Sequence, residues 1–269
     1  MTHWPKGKIV DLLSRRRIDL KRDVALVVEV GSTMHGISID GVDDLDLTVV
    51  RFEQWHEFVN GPSQRQSMMI RTQPDGDRSR FGDIDINVYT LRKFAGLAAK
   101  GNPSILAVLF APNRWTGRFH WVDWGKLIAY TTSQAAGAAF LGYMRQQMER
   151  WQGKRGQKNV NRPELVERYG FDTKYAGHVV RLGLQGTEYL TTGRITLPMP
   201  KEQAADIRNL RTGGFTEPGA MAWALKVENE LKAALDASTL PERPNLGGTD
   251  MWMADTYAQA FRSMLTVEP

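Results

Sequence analysis

Asp44-Leu45-Asp46 sets two carboxylates two residues apart, and Asp83-Ile84-Asp85 repeats that spacing later in the chain. On an extended strand successive side chains leave opposite faces, so Asp44 and Asp46 share one face while Leu45 turns inward. Carboxylates held side by side make each other easier to protonate. A divalent cation removes that penalty, and hard oxygen ligands suit Mg²⁺ or Mn²⁺. Just upstream, Gly31-Ser32-Thr-Met-His-Gly36 is turn-prone and offers backbone N–H groups and a small hydroxyl to a phosphate. Phosphate donors beside metal-binding acids point to phosphoryl or nucleotidyl transfer with two metal ions. An acidic surface turn between two strands would use the same residues without any chemistry. A calcium loop starting at Asp40 is excluded, because its glycine is misplaced and no glutamate closes it.

Strands must position these groups. Val24–Val30 and Leu47–Val50 have strand composition and flank the Gly-Ser turn. Gly82–Tyr89 alternates, with Ile84, Ile86 and Val88 facing one way and Asp83, Asp85 and Asn87 the other. Paired beside the Asp44/Asp46 strand, it supplies a third carboxylate, and alternation alone leaves Asp83 and Asp85 both open. A basic helix is expected over Met1–Arg22, and a short amphipathic one over Arg51–Val59 with Phe52, Trp55 and Phe58 as core. Gly61–Gly82 reads as a connection or hairpin near the edge of the site. Thr90 is expected to cap a helix over Leu91–Lys100, and Ser104 the next, Ile105–Phe110. The aromatic run from Trp115 to Leu127 reads as packing at a junction rather than as a platform for bases.

From Gly125 the chain reads as mostly helical. Ala135–Trp151 forms one helix, followed by an exposed basic loop over Gly153–Lys158. Asp172 or Thr173 caps another, on which Lys174, His178 and Arg181 fall at i, i+4 and i+7, hence on one face. Three potentially cationic side chains there repel one another unless a polyphosphate stands in front; taken alone, they read as a solvated basic face. Further helices are expected over Glu202–Asn209, over Gly219–Ala237 with an apolar stripe of Leu225, Leu231 and Leu235, and over Asp250–Leu265.

The chain has 269 residues, 42% apolar and 24% charged, enough for a sizeable core. It has no cysteine, which removes disulfides and thiolate zinc sites and suits a reducing cytoplasm. No apolar run of membrane-spanning length and no N-terminal signal pattern stands out, so a cytoplasmic protein without a membrane partner is expected. Residues 141–181 hold nine Lys/Arg against four Asp/Glu, which equals the whole chain's net charge of +5. That concentration would attract a nucleic acid or a nucleoside triphosphate, although a solvated helix face and charged loop account for it equally well.

Gly31-Ser32, Gly36 and Asp44-x-Asp46 resemble the signature of the DNA polymerase β-like nucleotidyltransferase superfamily. Asp85-Ile-Asn-Val-Tyr-Thr-Leu-Arg-Lys-Phe94, Lys100-Gly-Asn-Pro-Ser-Ile-Leu106 and Leu109-Phe110 narrow the resemblance to a family of bacterial and bacteriophage nucleotidyltransferases. It extends through Lys174, His178, Arg181 and Thr192-Gly193. The resemblance implies an α/β (α+β) fold, with a small mixed sheet flanked by helices in a core over 1–115 and a mostly helical region over 116–269. It implies transfer of a nucleoside monophosphate from an NTP such as ATP to an acceptor, with pyrophosphate released. The acceptor expected first is RNA such as tRNA, otherwise DNA, protein or a small molecule, in a bacterial or phage-infected cell. Asp44 and Asp46 would bind two Mg²⁺ or Mn²⁺ ions, and the family-like frame selects Asp85 over Asp83 as the third acid. Gly31 and Ser32 would hold the β- and γ-phosphates, and Lys174, His178 and Arg181 would face the leaving pyrophosphate.

The chain departs from the common pattern by one extra residue between Gly36 and Asp44, with Asp43 where serine is usual. Asp43 and Asp44 are therefore both candidates for the first ligand, and alternation favours Asp44. The competing function is a catalytically silent nucleic-acid-binding protein on the same fold, using the 141–181 stretch. It would tolerate loss of the aspartates and show steep salt dependence.

Overall fold

The computed structural model describes residues 4–59, 66–74, 77, 79–154 and 162–265. Five strands form one sheet: β1 (Val24–Glu29), β2 (Leu45–Arg51), β3 (Ser67–Arg71), β4 (Ile84–Thr90) and β5 (Arg114–Trp115). Their order is β3-β4-β2-β1-β5. β2 and β4 run parallel, and the other neighbours are antiparallel. β1, whose Val24 to Val28 are all buried, lies inside the sheet because both of its faces are apolar.

Alternation along β2 and β4 sorts the two faces. Leu47, Val49, Ile84, Ile86 and Val88 pack on one face under α1 (Lys6–Ser14), whose Ile9, Leu12 and Leu13 are buried there. Asp46, Thr48, Asp85 and Asn87 therefore leave from the other face. α1 is shorter than the basic helix expected to Arg22. It ends at the arginine run, where Arg17 adopts positive φ and the chain folds into a turn tied by Asp19 and Asp23.

The acid-bearing face is covered by helices. After α2 (Gly31–His35) and α3 (Trp55–Val59) come α4 (Leu91–Ala99), α5 (Pro103–Phe110), α6 (Trp124–Thr131) and α7 (Ala135–Trp151). The remainder are α8 (Pro163–Tyr169), α9 (Thr173–Thr192), α10 (Lys201–Arg211), α11 (Glu217–Asp236) and α12 (Leu246–Leu265). One apolar cluster runs from Val28 and Val50 in the sheet to Phe140, Val180, Tyr189 and Leu231 in these helices. Among the described residues no helix is long and apolar enough to cross a membrane.

Several expectations are confirmed and several are corrected. Thr90 caps α4 by accepting from the Lys93 N–H. The cap of α5 is Asn102, not Ser104: its side-chain oxygen accepts from the Ser104 and Ile105 N–H groups, with Pro103 in the first turn. Arg51 belongs to β2 rather than to the following helix, and its guanidinium bonds Glu57 at 2.7 Å. Phe52 is buried against Phe119 at 4.7 Å, whereas Trp55 is 64% exposed. The connection over Gly61–Gly82 contains β3 and so forms a hairpin with β4; its residues 61–65, 75, 76 and 78 lie outside the described residues. The aromatic run packs as expected, with Trp124 against Phe94 and Trp252. In α11 the buried stripe is Ala220, Ala224, Val227 and Leu231, and Leu225 is exposed. α9 and α11 meet through small residues, so the face of α11 carrying Ala224 turns inward and Leu225, a hundred degrees away, turns out.

Gly183 marks the closest approach of these two helices: a Cβ there would lie 2.6 Å from Cγ2 and 2.8 Å from Cβ of Val227. Alanine raises helix propensity by about 1 kcal/mol over glycine. Overpacking against a stiff β-branched neighbour costs about 1–3 kcal/mol. Gly183→Ala is therefore expected to lower stability by up to about 2 kcal/mol, and a urea midpoint above that of the unaltered chain would contradict this packing.

Candidate active site

β2 and β4 are parallel neighbours, and Asp46 lies directly across from Asp85 in their register. Asp44, just before β2, projects to the same side. One carboxylate oxygen from each of Asp44, Asp46 and Asp85 lies within 4.8 Å of the others. Gly31 makes room for this arrangement. Its φ is +69°, and a Cβ on it would come within 2.3 Å of Asp46 Oδ2. Burial, then the nearby charges of Asp44 and Asp85, raise the Asp46 carboxyl to about 7.

The two open choices among the acids resolve into different environments. Asp85 accepts from Ser79 Oγ at 2.7 Å, Gln73 Nε2 at 2.9 Å and Arg71 Nε at 3.3 Å, all from the β3–β4 hairpin. Asp83 is not in the cluster; it accepts from Thr72 Oγ1 at 3.0 Å and from the Arg80 N–H at 2.8 Å. Asp43 turns from the cluster to Arg211, whose Nη2 donates to its two oxygens at 2.9 and 3.2 Å, and to the Ile39 N–H at 2.8 Å. Burial by itself raises the Asp43 carboxyl, but hydrogen bonds from Arg211, Ile39 and Ser32 outweigh it and hold it below its ordinary value. Alternation along the strand places Asp44 with Asp46 and leaves Asp43 as a structural counter-ion.

Opposite the acids stands a wall of cations, across a cleft of about 1020 Å³ that Gly31 and Ser32 also line. Its framework is α9, whose first turn is capped by Asp172 through the Lys174 and Tyr175 N–H groups. Lys174, His178 and Arg181 all face this cleft, as their helical spacing requires. Lys174 Nζ lies 3.9 Å from Asp43. Arg181 donates to Gln185 Oε1 at 2.8 Å, and no described carboxylate pairs with it. Burial lowers the Arg181 guanidinium to about 10, so it stays charged at neutral pH. Gln185 Nε2 in turn lies 3.0 Å from His35 Nδ1.

His35 and His178 are both held well below the usual histidine value, by burial first and then by Arg181. Both rings are neutral near pH 7, so the three potentially cationic positions of this face carry two charges. Arg162 and Arg211 complete the wall and had no signature in the sequence. Arg211 reaches Asp43 from an element 168 residues away, and only the packing of α10 against α9 brings it there. The basic stretch 141–181 is thus divided. Arg162, Lys174 and Arg181 line the cleft, while Arg145 lies 3.7 Å from Glu228 on α11. Most of the basic loop expected over Gly153–Lys158, residues 155–158, lies outside the described residues.

A family model described as RNA repair pathway DNA polymerase beta family matches residues 7–247. Among solved structures, a nucleotidyltransferase-like protein from Exiguobacterium sibiricum 255-15 is similar at 11% identity and a TM-score of 0.29, over 93% of this chain and 78% of that one. No curated protein matches the chain.

Asp46 gives the site a pH signature. Its carboxyl rises from an ordinary 3.8 to about 7 on folding, so the folded chain binds that proton more tightly than the unfolded chain. The associated stability is fully present below about pH 4 and is lost as pH rises through about 7. In chelator, Asp46→Asn should therefore exceed the unaltered chain in stability at pH 8, on the order of 2 kcal/mol, with the gain vanishing near pH 4. Equal melting curves at both pH values would show that the three acids do not repel. Gly31→Ala should displace Asp46 and lower any divalent-ion affinity at least about tenfold, a fall that isothermal titration reads directly.

Proposed function

The chain belongs to the RNA repair pathway DNA polymerase beta family, and from that premise we propose that it transfers a nucleoside monophosphate from an NTP to the end of an RNA, tRNA being the first candidate. One observation carries this reading: three converging carboxylates and a set of buried or half-buried cations line a single cleft. The acids suit a metal-assisted displacement, and the cations suit a polyphosphate. The family's link to RNA repair supports RNA as the acceptor.

Asp44, Asp46 and Asp85 offer only hard oxygen donors, and the raised Asp46 carboxyl reflects a repulsion that a divalent cation would relieve. This donor set fits Mg²⁺ or Mn²⁺, with Asp44 and Asp46 holding both ions and Asp85 beside one. When bound, such ions polarise the α-phosphate and make the acceptor hydroxyl more acidic. The acceptor oxygen forms a bond to the α-phosphorus, and the bond from that phosphorus to the bridging oxygen of the β-phosphate breaks. Asp85 orients the acceptor and takes its proton. Gly31 and Ser32 hold the β- and γ-phosphates where α2 begins, while Lys174 and Arg181 balance the charge that develops on pyrophosphate. Neutral His178 contributes a hydrogen bond rather than a charge. Arg211, fixed by Asp43, extends the cationic wall behind Lys174.

Each of four α-³²P-labelled NTPs is offered with Mg²⁺ or Mn²⁺ to total RNA, DNA and protein. Label should enter the RNA fraction, and Asp44→Asn or Asp46→Asn should reduce incorporation by at least about a thousandfold without unfolding the chain. Full turnover by Asp46→Asn would sink the mechanism. Salt-sensitive RNA binding that needs neither metal nor aspartates would favour the silent binder.

A further inference from the structure

The turn Arg80-Phe81-Gly82-Asp83 presents an aromatic ring to solvent. Phe81 is 70% exposed, among the most exposed large apolar side chains described, and it lines the cleft that holds the acids. Its position is held by the local backbone. The Asp83 N–H donates to the Arg80 carbonyl at 3.0 Å, and Gly82 takes φ +90°, as position i+2 of a type II turn requires. The Asp83 carboxylate closes the turn from the other side by accepting from the Arg80 N–H at 2.8 Å and from Thr72 Oγ1 at 3.0 Å. Val42, 60% exposed on the loop before β2, lines the same cleft. A chain that needed only its fold would have no reason to fix a phenyl ring outward at this mouth.

The hairpin bearing Phe81 is also the one that grips Asp85, through Ser79, Gln73 and Arg71. The phosphate-side cations come instead from α9 and α10 and from Arg162, which precedes α8. Phe81 is four residues from Asp85, within about 14 Å along an extended chain. A flat apolar ring at the acceptor end of the cleft, next to the exposed Arg80, matches one ligand chemistry: a nucleobase stacked on the ring with its phosphate near the guanidinium.

We propose that Phe81 is the stacking platform for the terminal base of a single-stranded nucleic-acid acceptor, held at the cleft mouth by the turn Arg80–Asp83. This rests on the nucleotidyltransferase reading above and adds to it a requirement for an unpaired acceptor end. A blunt duplex offers only the outer face of a paired terminal base and must bring its second strand into the cleft as well, so it is expected to bind more weakly than a free single-stranded end.

The test keeps the two readings apart. Mg²⁺-dependent binding of each of the four NTPs by the unaltered chain is measured first, and the absence of binding by all four would defeat the nucleotidyltransferase reading itself. The acceptor probe is a single-stranded oligoribonucleotide ending in 2-aminopurine, with a deoxyribonucleotide copy as a parallel arm to separate RNA from DNA. Stacking should quench the fluorescence of the unaltered complex. Phe81→Ala should abolish the quench and weaken binding about tenfold, whereas Phe81→Trp should preserve both. Met251→Ala, at an exposed apolar position on α12 outside the cleft lining, should leave them unchanged. With NTP binding intact, any of three results overturns the proposal: no binding of either oligonucleotide, an undiminished quench in Phe81→Ala, or equal competition by a blunt duplex.

Discussion

Three carboxylates held within 4.8 Å of one another repel, and the arrangement of this protein follows from keeping them together. The parallel pairing of β2 and β4 fixes Asp46 opposite Asp85, and their apolar faces, packed under α1, prevent either strand from slipping by one residue. A slip of one would carry the acids to the buried side and the isoleucines to the cleft. Gly31 gives up its side chain so that Asp46 can approach the turn. The cost of this crowding is visible in the raised Asp46 carboxyl, which is poised near neutral pH. A cation placed among the acids converts that cost into binding free energy.

The opposite wall carries the complementary imbalance. Arg181 is half-buried without a described carboxylate partner, while Lys174 and Arg211 share Asp43. Buried cations lacking counter-ions lose stability, and α9 tolerates them because Gln185, His35 and His178 supply hydrogen-bonding groups beside the guanidinium. Keeping the histidines neutral limits the repulsion. A bound polyphosphate would supply the missing negative charge, so under the proposed reaction one metal-bound triphosphate would complete both sets of residues. The cleft thus carries two opposite charge excesses along one lining.

Much of this was legible in the residues, and the reasons differ by element. The alternation of Ile84, Ile86 and Val88 with Asp85 and Asn87 identified β4 and its acid face, because a half-buried strand imposes a period of two. The spacing of Lys174, His178 and Arg181 identified one face of α9 for the equivalent helical reason. Asn102 was missed as a cap because Ser104, a good capping residue itself, stood close by. On α11 Leu231 is buried as expected, but Leu225 was misplaced because it is more hydrophobic than Ala224 while the face packed on the α9 glycines is the one that carries Val227 and Leu231. β3 was foreseen only as one option, a hairpin somewhere in Gly61–Gly82, and its bounds were not read, since an edge strand needs little hydrophobic patterning.

Local order in the sequence determined which residues could share a face: the acids on their strands, the cations on their helix, the glycine where a side chain would block. These follow from backbone geometry and need no knowledge of the rest of the chain. What lies across from each face was decided only by tertiary packing. Arg211 and Arg162 enter the cleft, Asp43 is withdrawn from the acids to serve Arg211, and Ser79 and Gln73 grip Asp85. Each of these contacts joins residues on separate elements, and such pairings leave no periodic trace. The same packing set the charge states: His178 became neutral and Asp46 easily protonated because burial and neighbours, rather than residue type, determine where a proton is held.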